Sequence, residues 1–349
     1  GMASGGDAAG DLLFDFEGLA GSSFGDTLTG DAAANLLDGD AGHDTLVGNN
    51  GDDTLVGGDG NDTLRGGVGA DRLVGGEGFD VVSYVGSSAV LVNLGTGLGS
   101  GGHAAGDRLA GIEGVVGGVG NDSLTGDAGA NLLDGGGGAN TLMGGAGNDT
   151  LIGSTGNDRI QGQDDDDLLI GGGGANTLDG GGGRDTVTYA SLLAGVNVNL
   201  VAGTATGGAT DSLISIEHVI GSDHADTMTG GAAAEVLFGG TGNDSINAGS
   251  GGDTVEGGAG NDTLAGRGRR RRVVLRPGDG WGDRVARRCG PAEHRRRRHR
   301  WHLRLREPDG LAVRRRAHRR RRLERDQRPR RRRQLRFRAA RGVAPARTA

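Results

Sequence analysis

An all-β solenoid of nonapeptide repeats in three blocks, followed by an arginine-rich tail with no fold of its own, is the architecture the sequence predicts, on three observations. Glycine supplies 77 of 349 residues while aromatics number only ten, so the large side chains of a conventional core are missing. An acid or amide followed two residues later by an aliphatic recurs every nine residues. Charge divides by position: residues 1–266 hold 38 acids and 5 arginines, net −33, and residues 267–349 hold 7 acids and 33 arginines, net +26.

The first block places its acid or amide at Asp26, Asn35, Asp44, Asp53, Asp62, Asp71 and Asp80, with aliphatics at Leu28, Leu37, Leu46, Leu55, Leu64, Leu73 and Val82. The second repeats this at Asp122, Asn131, Asn140, Asp149, Asp158, Asp167, Asn176 and Asp185, and the third at Asp226, Glu235, Asp244, Asp253 and Asp262. Glycine usually precedes the acid by two residues, as at Gly42, Gly51, Gly60, Gly69, Gly78, Gly147, Gly156, Gly242 and Gly260. The consensus is G-G-x-G-x-D-x-U-x, with U aliphatic. Its x-U-x portion reads as a short strand with one inward side chain, and Thr45, Thr54, Thr63, Thr150 and Thr263 suit the outer face of such a strand.

The joins between blocks are copies of one another. D-x-L-x-x-I-E spans Asp107 to Glu113 and again Asp211 to Glu217, each Glu lying nine residues before the next block's first Asp, and Asp11, Leu13, Phe16 and Glu17 form a third, looser copy. Before the two complete copies, Val90, Val92 and Leu94 match Val196, Val198 and Leu200, an alternation that predicts a strand. The chain therefore divides into a partial join (1–24), block 1 (25–84), a join (85–117), block 2 (118–189), a join (190–221), block 3 (222–266) and the tail (267–349). Because it opens with Gly1, inside a join, it reads as a fragment.

The repeat carries its own chemistry. Tight reversals that point carbonyls at one centre need residues tolerant of positive φ, which glycine supplies. The aspartate adds an anionic oxygen, and oxygen-only ligation by carboxylate and carbonyl suits Ca²⁺ rather than Zn²⁺ or copper. The candidate ligands are Asp26, Asp44, Asp53, Asp62, Asp71, Asp80, Asp122, Asp149, Asp158, Asp167, Asp185, Asp226, Asp244, Asp253 and Asp262, with the nine glycines named above. One aliphatic per nine residues buries too little apolar surface to offset the ordering of nine backbones, and self-repulsion acts in the same direction. Several calcium ions are thus expected to take the place of the missing core, coupling binding to folding.

GGDGNDTLR (Gly57 to Arg65), GGAGNDTLI (Gly144 to Ile152) and GGAGNDTLA (Gly257 to Ala265) resemble the hemolysin-type repeat of the RTX family of secreted bacterial proteins, over about residues 11–266. The resemblance implies a right-handed parallel β-roll whose successive repeats alternate between two sheets. It also implies ions between loops eighteen residues apart, so that Asp44 shares a layer with Asp62, Asp53 with Asp71, and Asp62 with Asp80. It further implies export by a type I secretion machinery without a cleaved N-terminal signal, and folding outside the cell. Residues 1–25 accordingly lack a basic start followed by an apolar run, and no stretch is apolar enough to span a bilayer.

Departures from the consensus carry expectations of their own. The second repeat of each block is degraded, as DAAANLL, DAGANLL and GAAAEVL, so Asn35, Asn131 and Glu235 are expected to cap a neighbouring loop by hydrogen bonds. Four consecutive aspartates, Asp164 to Asp167, replace a glycine loop, and either extra ligation or plain solvated acidity accounts for them.

No enzyme is expected. The one G-x-S-x-G string, Gly21 to Gly25, reads as a structural loop because its copies at Gly117 and Gly221 lack the central Ser, and His43, His103, His218 and His224 form no H-E-x-x-H. An array of this kind could equally be the C-terminal part of a secreted protease, lipase or polysaccharide-modifying enzyme. Its threonine face could bind ice or a polysaccharide at a cell surface, although Arg72, Arg159, Ser123 and Ser245 interrupt it. The tail leaves two readings open: a disordered polyanion-binding or nucleic-acid-binding segment, or a reading-frame shift near residue 267 that turns glycine codons into arginine codons. Val273 to Val285, with RPGDG inside it, resembles the strand that closes such arrays.

Overall fold

The computed structural model describes residues 2–4, 11–12, 17–267, 272–274 and 284–286. Both readings of the tail rest on residues outside these.

Each x-U-x becomes a strand because alternation puts the aliphatic on one face and its neighbours on the other. Thr45–Asn50 and Thr54–Asp59 are consecutive strands, yet they do not pair. Thr45–Asn50 pairs in parallel with Thr63–Val68, placing Leu46 on Leu64, and Thr54–Asp59 pairs with Arg72–Glu77, placing Leu55 on Leu73. Successive repeats thus alternate between two parallel sheets, and every residue meets its counterpart eighteen positions away. The core is the double row of inward aliphatics: Leu37, Leu46, Leu55, Leu64 and Leu73 are fully buried, as are Leu133, Leu142, Leu151 and Ile160 in the next block.

The sheets run on through the joins. In one sheet Val81–Ser83 pairs directly with Gly114–Val116, skipping the intervening residues. In the other, Arg108–Ala110 lies parallel on Arg72–Val74, Leu98–Ser100 runs antiparallel beside it, and Leu91–Asn93 returns parallel to Ser123–Thr125. The second join repeats this with Asn197–Asn199, Thr204–Thr206 and Thr210–Ile214. The strands expected around Val92 and Val198 are present, each complete join adds one antiparallel strand, and Met2–Ser4 lies antiparallel on Thr27–Thr29. Beyond the third block, Arg272–Val274 continues one sheet and Arg284–Ala286 the other.

Leu55→Ala should remove about 2–5 kcal/mol from the calcium-loaded fold by leaving a cavity in the double row, whereas Arg72→Ala on the exposed face should stay within about 0.5 kcal/mol; denaturant titration of both variants in saturating calcium checks the contrast.

Candidate metal centres

The sixth residue of every repeat sits where a strand begins, and the winding of the chain stacks these residues in two columns. All are buried. Within a column one carboxylate oxygen accepts a backbone amide from the winding before: the Asp44 amide donates to Asp62 Oδ1 at 2.8 Å, Asp53 to Asp71 at 2.9 Å, Asp62 to Asp80 at 2.8 Å and Asp149 to Asp167 at 2.8 Å. The aspartate is therefore a structural rivet before it is anything else.

Its second oxygen is a different matter. Oδ2 is buried without a hydrogen-bond partner at Asp44, Asp53, Asp62, Asp71 and Asp80, at Asp149, Asp158, Asp167 and Asp185, and at Asp244 and Asp253. An unpartnered buried carboxylate oxygen is costly unless a cation faces it. Except at Asp253, where the buried Ala248 takes that place, each of these oxygens looks into a gap made by the first glycine of its own repeat. A Cβ on Gly48 would strike Asp53 Oδ2 and lie 2.6 Å from the Gly66 carbonyl oxygen, and on Gly57 it would strike Asp62 Oδ2 and lie 2.7 Å from the Gly75 carbonyl oxygen. Carboxylate and carbonyl oxygens converge there with no donor between them. Burial, followed by the neighbouring carboxylates, pushes Asp71, Asp167 and Asp244 up to about 7, and burial raises Asp80 and Asp149 to about 6. No three His, Cys, Asp or Glu side chains converge among the described residues. The donor set is carboxylate plus main-chain carbonyl, which fits a hard cation of calcium's kind.

Six repeats are built differently, and they are the first two of each block. There the amide four residues before the acid points at the side chain: Ser22 to Asp26 Oδ2 at 2.6 Å, Asp31 to Asn35 at 2.7 Å, Gly118 to Asp122 at 2.6 Å, Asp127 to Asn131 at 2.7 Å, Ser222 to Asp226 at 2.7 Å and Gly231 to Glu235 at 3.0 Å. In the other fourteen the residue at that place holds left-handed φ, from 68° at Ser154 to 129° at Gly76, which swings the peptide over and turns the amide away. The unpartnered Oδ2 atoms named above all belong to those fourteen. Asn35, Asn131 and Glu235 thus hydrogen-bond within their own loops rather than capping a neighbouring one, and Glu235 Oε2 stays buried without a partner. Asp26, Asp122 and Asp226 carry the same closure; the Asp122 repeat matches the consensus, whereas Ser22 and Phe24, and Ser222 and His224, depart from it.

Two of the fourteen carry asparagine. Asn140 Nδ2 donates to the Gly153 and Gly138 carbonyls at 3.3 and 3.4 Å, and Asn176 Nδ2 to Asp211 Oδ1 at 3.1 Å, so an amide nitrogen stands where elsewhere only oxygens face the gap. The candidate glycines Gly42, Gly51, Gly60, Gly69, Gly78, Gly147, Gly156, Gly242 and Gly260 all hold left-handed φ. Of the acidic run, only Asp167 joins a column. Asp164, Asp165 and Asp166 are exposed, with Asp165 accepting the Gly147 amide and Asp166 the Arg184 amide.

Sequence reasoning passed over the tyrosines. Tyr84 donates its hydroxyl to Asp107 Oδ2 at 3.0 Å while Asp107 Oδ1 accepts the Asp71 amide, and Tyr189 and Asp211 repeat the pair at 3.3 Å. Burial and the carboxylate beside each push both hydroxyls far up. The signal was available: the only two tyrosines precede the two complete D-x-L-x-x-I-E copies by nearly equal intervals. In the G-x-S-x-G string, Ser22 Oγ donates to Asp26 Oδ2 at 2.9 Å and Ser23 lies exposed.

A family model described as the RTX calcium-binding nonapeptide repeat matches residues 20–55, 47–82, 116–151, 152–187 and 229–264, leaving 83–115 and 188–228 between the matched segments. No curated protein matches the chain.

Asn140→Asp should replace an amide that donates to carbonyls with a second acceptor facing them; calorimetric titration should then count more calcium bound than in the parent, and an unchanged count would refute this assignment of the gap.

Proposed function

We propose, for a chain whose repeats belong to the RTX calcium-binding nonapeptide family, that it is a calcium-gated structural module of a secreted protein, folding once it meets extracellular calcium and then acting as a rigid spacer or adhesion scaffold. The observation that carries this reading is the turned loop peptide: wherever an aspartate Oδ2 is buried without a partner, the residue four before it holds left-handed φ and its amide does not compete for that oxygen. The ions are assigned to the gaps beside Asp44, Asp53, Asp62, Asp71, Asp149, Asp158, Asp167 and Asp244; at Asp253 the buried Ala248 occupies the glycine's place. Asp26, Asp122 and Asp226 are assigned none, because a backbone amide already partners the second oxygen of each.

The chain's own residues account for the gating. Without a cation the columns hold stacked carboxylates in a dry interior, and desolvation and mutual repulsion both oppose folding. A bound ion supplies the positive charge, and ligand held only by the folded state adds about 2.7 kcal/mol per site at a hundred times its dissociation constant. Binding at many stacked gaps therefore switches the array as a unit. Extracellular modules bind calcium at roughly 10⁻⁴ to 10⁻³ M, which would leave such an array unfolded at cytosolic calcium.

Far-UV circular dichroism of the full chain during a calcium titration tests this. A cooperative rise in β signal in that range, reversed by chelator and not reproduced by magnesium, is the expected outcome. A spectrum already β-rich in chelator, or unchanged at ~10 mM calcium, ten times the top of that range, would sink the proposal.

A further inference from the structure

The gap beside the last aspartate of a block has no following nonapeptide to close it. In the first join the register of Arg108–Ala110 on Arg72–Val74 carries Gly111 onto Gly75, and that of Gly114–Val116 on Val81–Ser83 carries Glu113 onto Asp80. Between Gly75 and Asp80 the repeat has its full loop, whereas between Gly111 and Glu113 only Ile112 intervenes. The loop is three residues shorter, and glutamate stands where the repeat has aspartate. Glu113 Oε2 accepts the Asp80 amide at 2.8 Å, just as Asp80 Oδ1 accepts the Asp62 amide at 2.8 Å, so one oxygen of Glu113 does the riveting and one is left over.

We propose that each join completes a calcium site outside the nonapeptide repeats, formed by Asp80, the Gly111 carbonyl and Glu113 in the first join and by Asp185, the Ser215 carbonyl and Glu217 in the second. The proposal rests on the calcium reading of the repeats. Asp80 is fully buried, its Oδ2 has no partner, and a Cβ on Gly75 would strike both that oxygen and the Gly111 carbonyl oxygen. A carboxylate oxygen and a carbonyl oxygen thus meet in one space, with the Glu113 carboxylate held beside Asp80 by the Asp80 amide, and a hard divalent cation is the ligand class that such a set takes.

The second join reaches the same arrangement through a different sequence. Asp185 is fully buried with Oδ2 unpartnered, its amide donates to Glu217 Oε2 at 3.1 Å, and a Cβ on Gly180 would strike the Ser215 carbonyl oxygen and the Asp185 carboxylate. Ser215 holds φ 51°, a left-handed value that Gly111 also adopts at 59°. Each join therefore continues its two columns by unlike means. A tyrosine hydroxyl meets Asp107 or Asp211 in one, and glutamate meets the block's last aspartate in the other. Calcium at the glutamate would tie a join of some thirty residues to the block before it, so that neighbouring blocks load together.

The test is a calcium count by flow dialysis and calorimetry on the full chain with Glu113→Gln, Glu217→Gln and both. Glutamine keeps the acceptor for the Asp80 or Asp185 amide and removes the charge. One equivalent fewer per single variant and two fewer for the double, with the β signal kept in saturating calcium, is expected; the parent's count in all three would overturn the proposal. Should a variant fail to fold, hydrogen exchange on the parent decides. In saturating calcium the Glu113 and Gly114 amides, which both donate to the Asp80 carbonyl, should be as protected as the Thr63 and Arg72 amides of the block; exchange at least tenfold faster than those overturns it. A parent that binds no calcium would instead remove the reading of the repeats themselves.

Discussion

Everything in this fold hangs on one divided carboxylate. In the inner repeats of a block, one aspartate oxygen takes the amide of the winding before, which fixes the register at eighteen residues, and the other faces main-chain carbonyls with nothing positive between them. The first contact makes the stack and the second leaves a buried oxygen open in it. A protein with a large apolar core could tolerate a few such oxygens, but here the core within the blocks is a double row of aliphatics, one for each repeat. The same residues that hold the windings in register therefore carry the open oxygens on which the proposed calcium gating rests.

The orientation of one peptide separates the repeats that offer an open oxygen from those closed by their own amide. The amide four residues upstream turns inward in the first two repeats of all three blocks, and of these only Glu235 keeps a buried second oxygen without a partner. Each block thus begins on two windings closed by their own amides and only then runs into open gaps. The two asparagines of the second block act within the run itself, where Asn140 and Asn176 bring a donor to the gap and dilute the charge of their columns.

The joins solve a separate problem, the continuation of a parallel stack past an insertion. One sheet simply skips it, while the other takes in three strands, one of them antiparallel, before the parallel order resumes. The columns persist across the gap because Asp107 and Asp211, and Glu113 and Glu217, occupy the places that repeat aspartates would hold. Buried tyrosine hydroxyls satisfy the first pair.

The sequence by itself determined the period, the inward aliphatics, the repeating aspartates and the strands of the joins, because each is a local pattern that any parallel winding must obey. It marked Asn35, Asn131 and Glu235 as hydrogen-bonding residues but expected them to cap a neighbouring loop, whereas each accepts an amide of its own loop. It did not reveal that Asp26, Asp122 and Asp226 share that closure, and residue type explains why. Gly118 and Gly231 are glycines that keep the amide inward, while Asp40, Asn49, Ser154 and Gln163 adopt left-handed φ without being glycine. The turned peptides stack on one another, a Cβ on Gly58 striking the Asp40 carbonyl and one on Gly76 striking Gly58. Only the winding beneath, which at the start of a block is a join, decides which way the peptide faces; the convergence of Asp80 with Glu113, 33 residues apart, is likewise a product of stacking that no local pattern encodes.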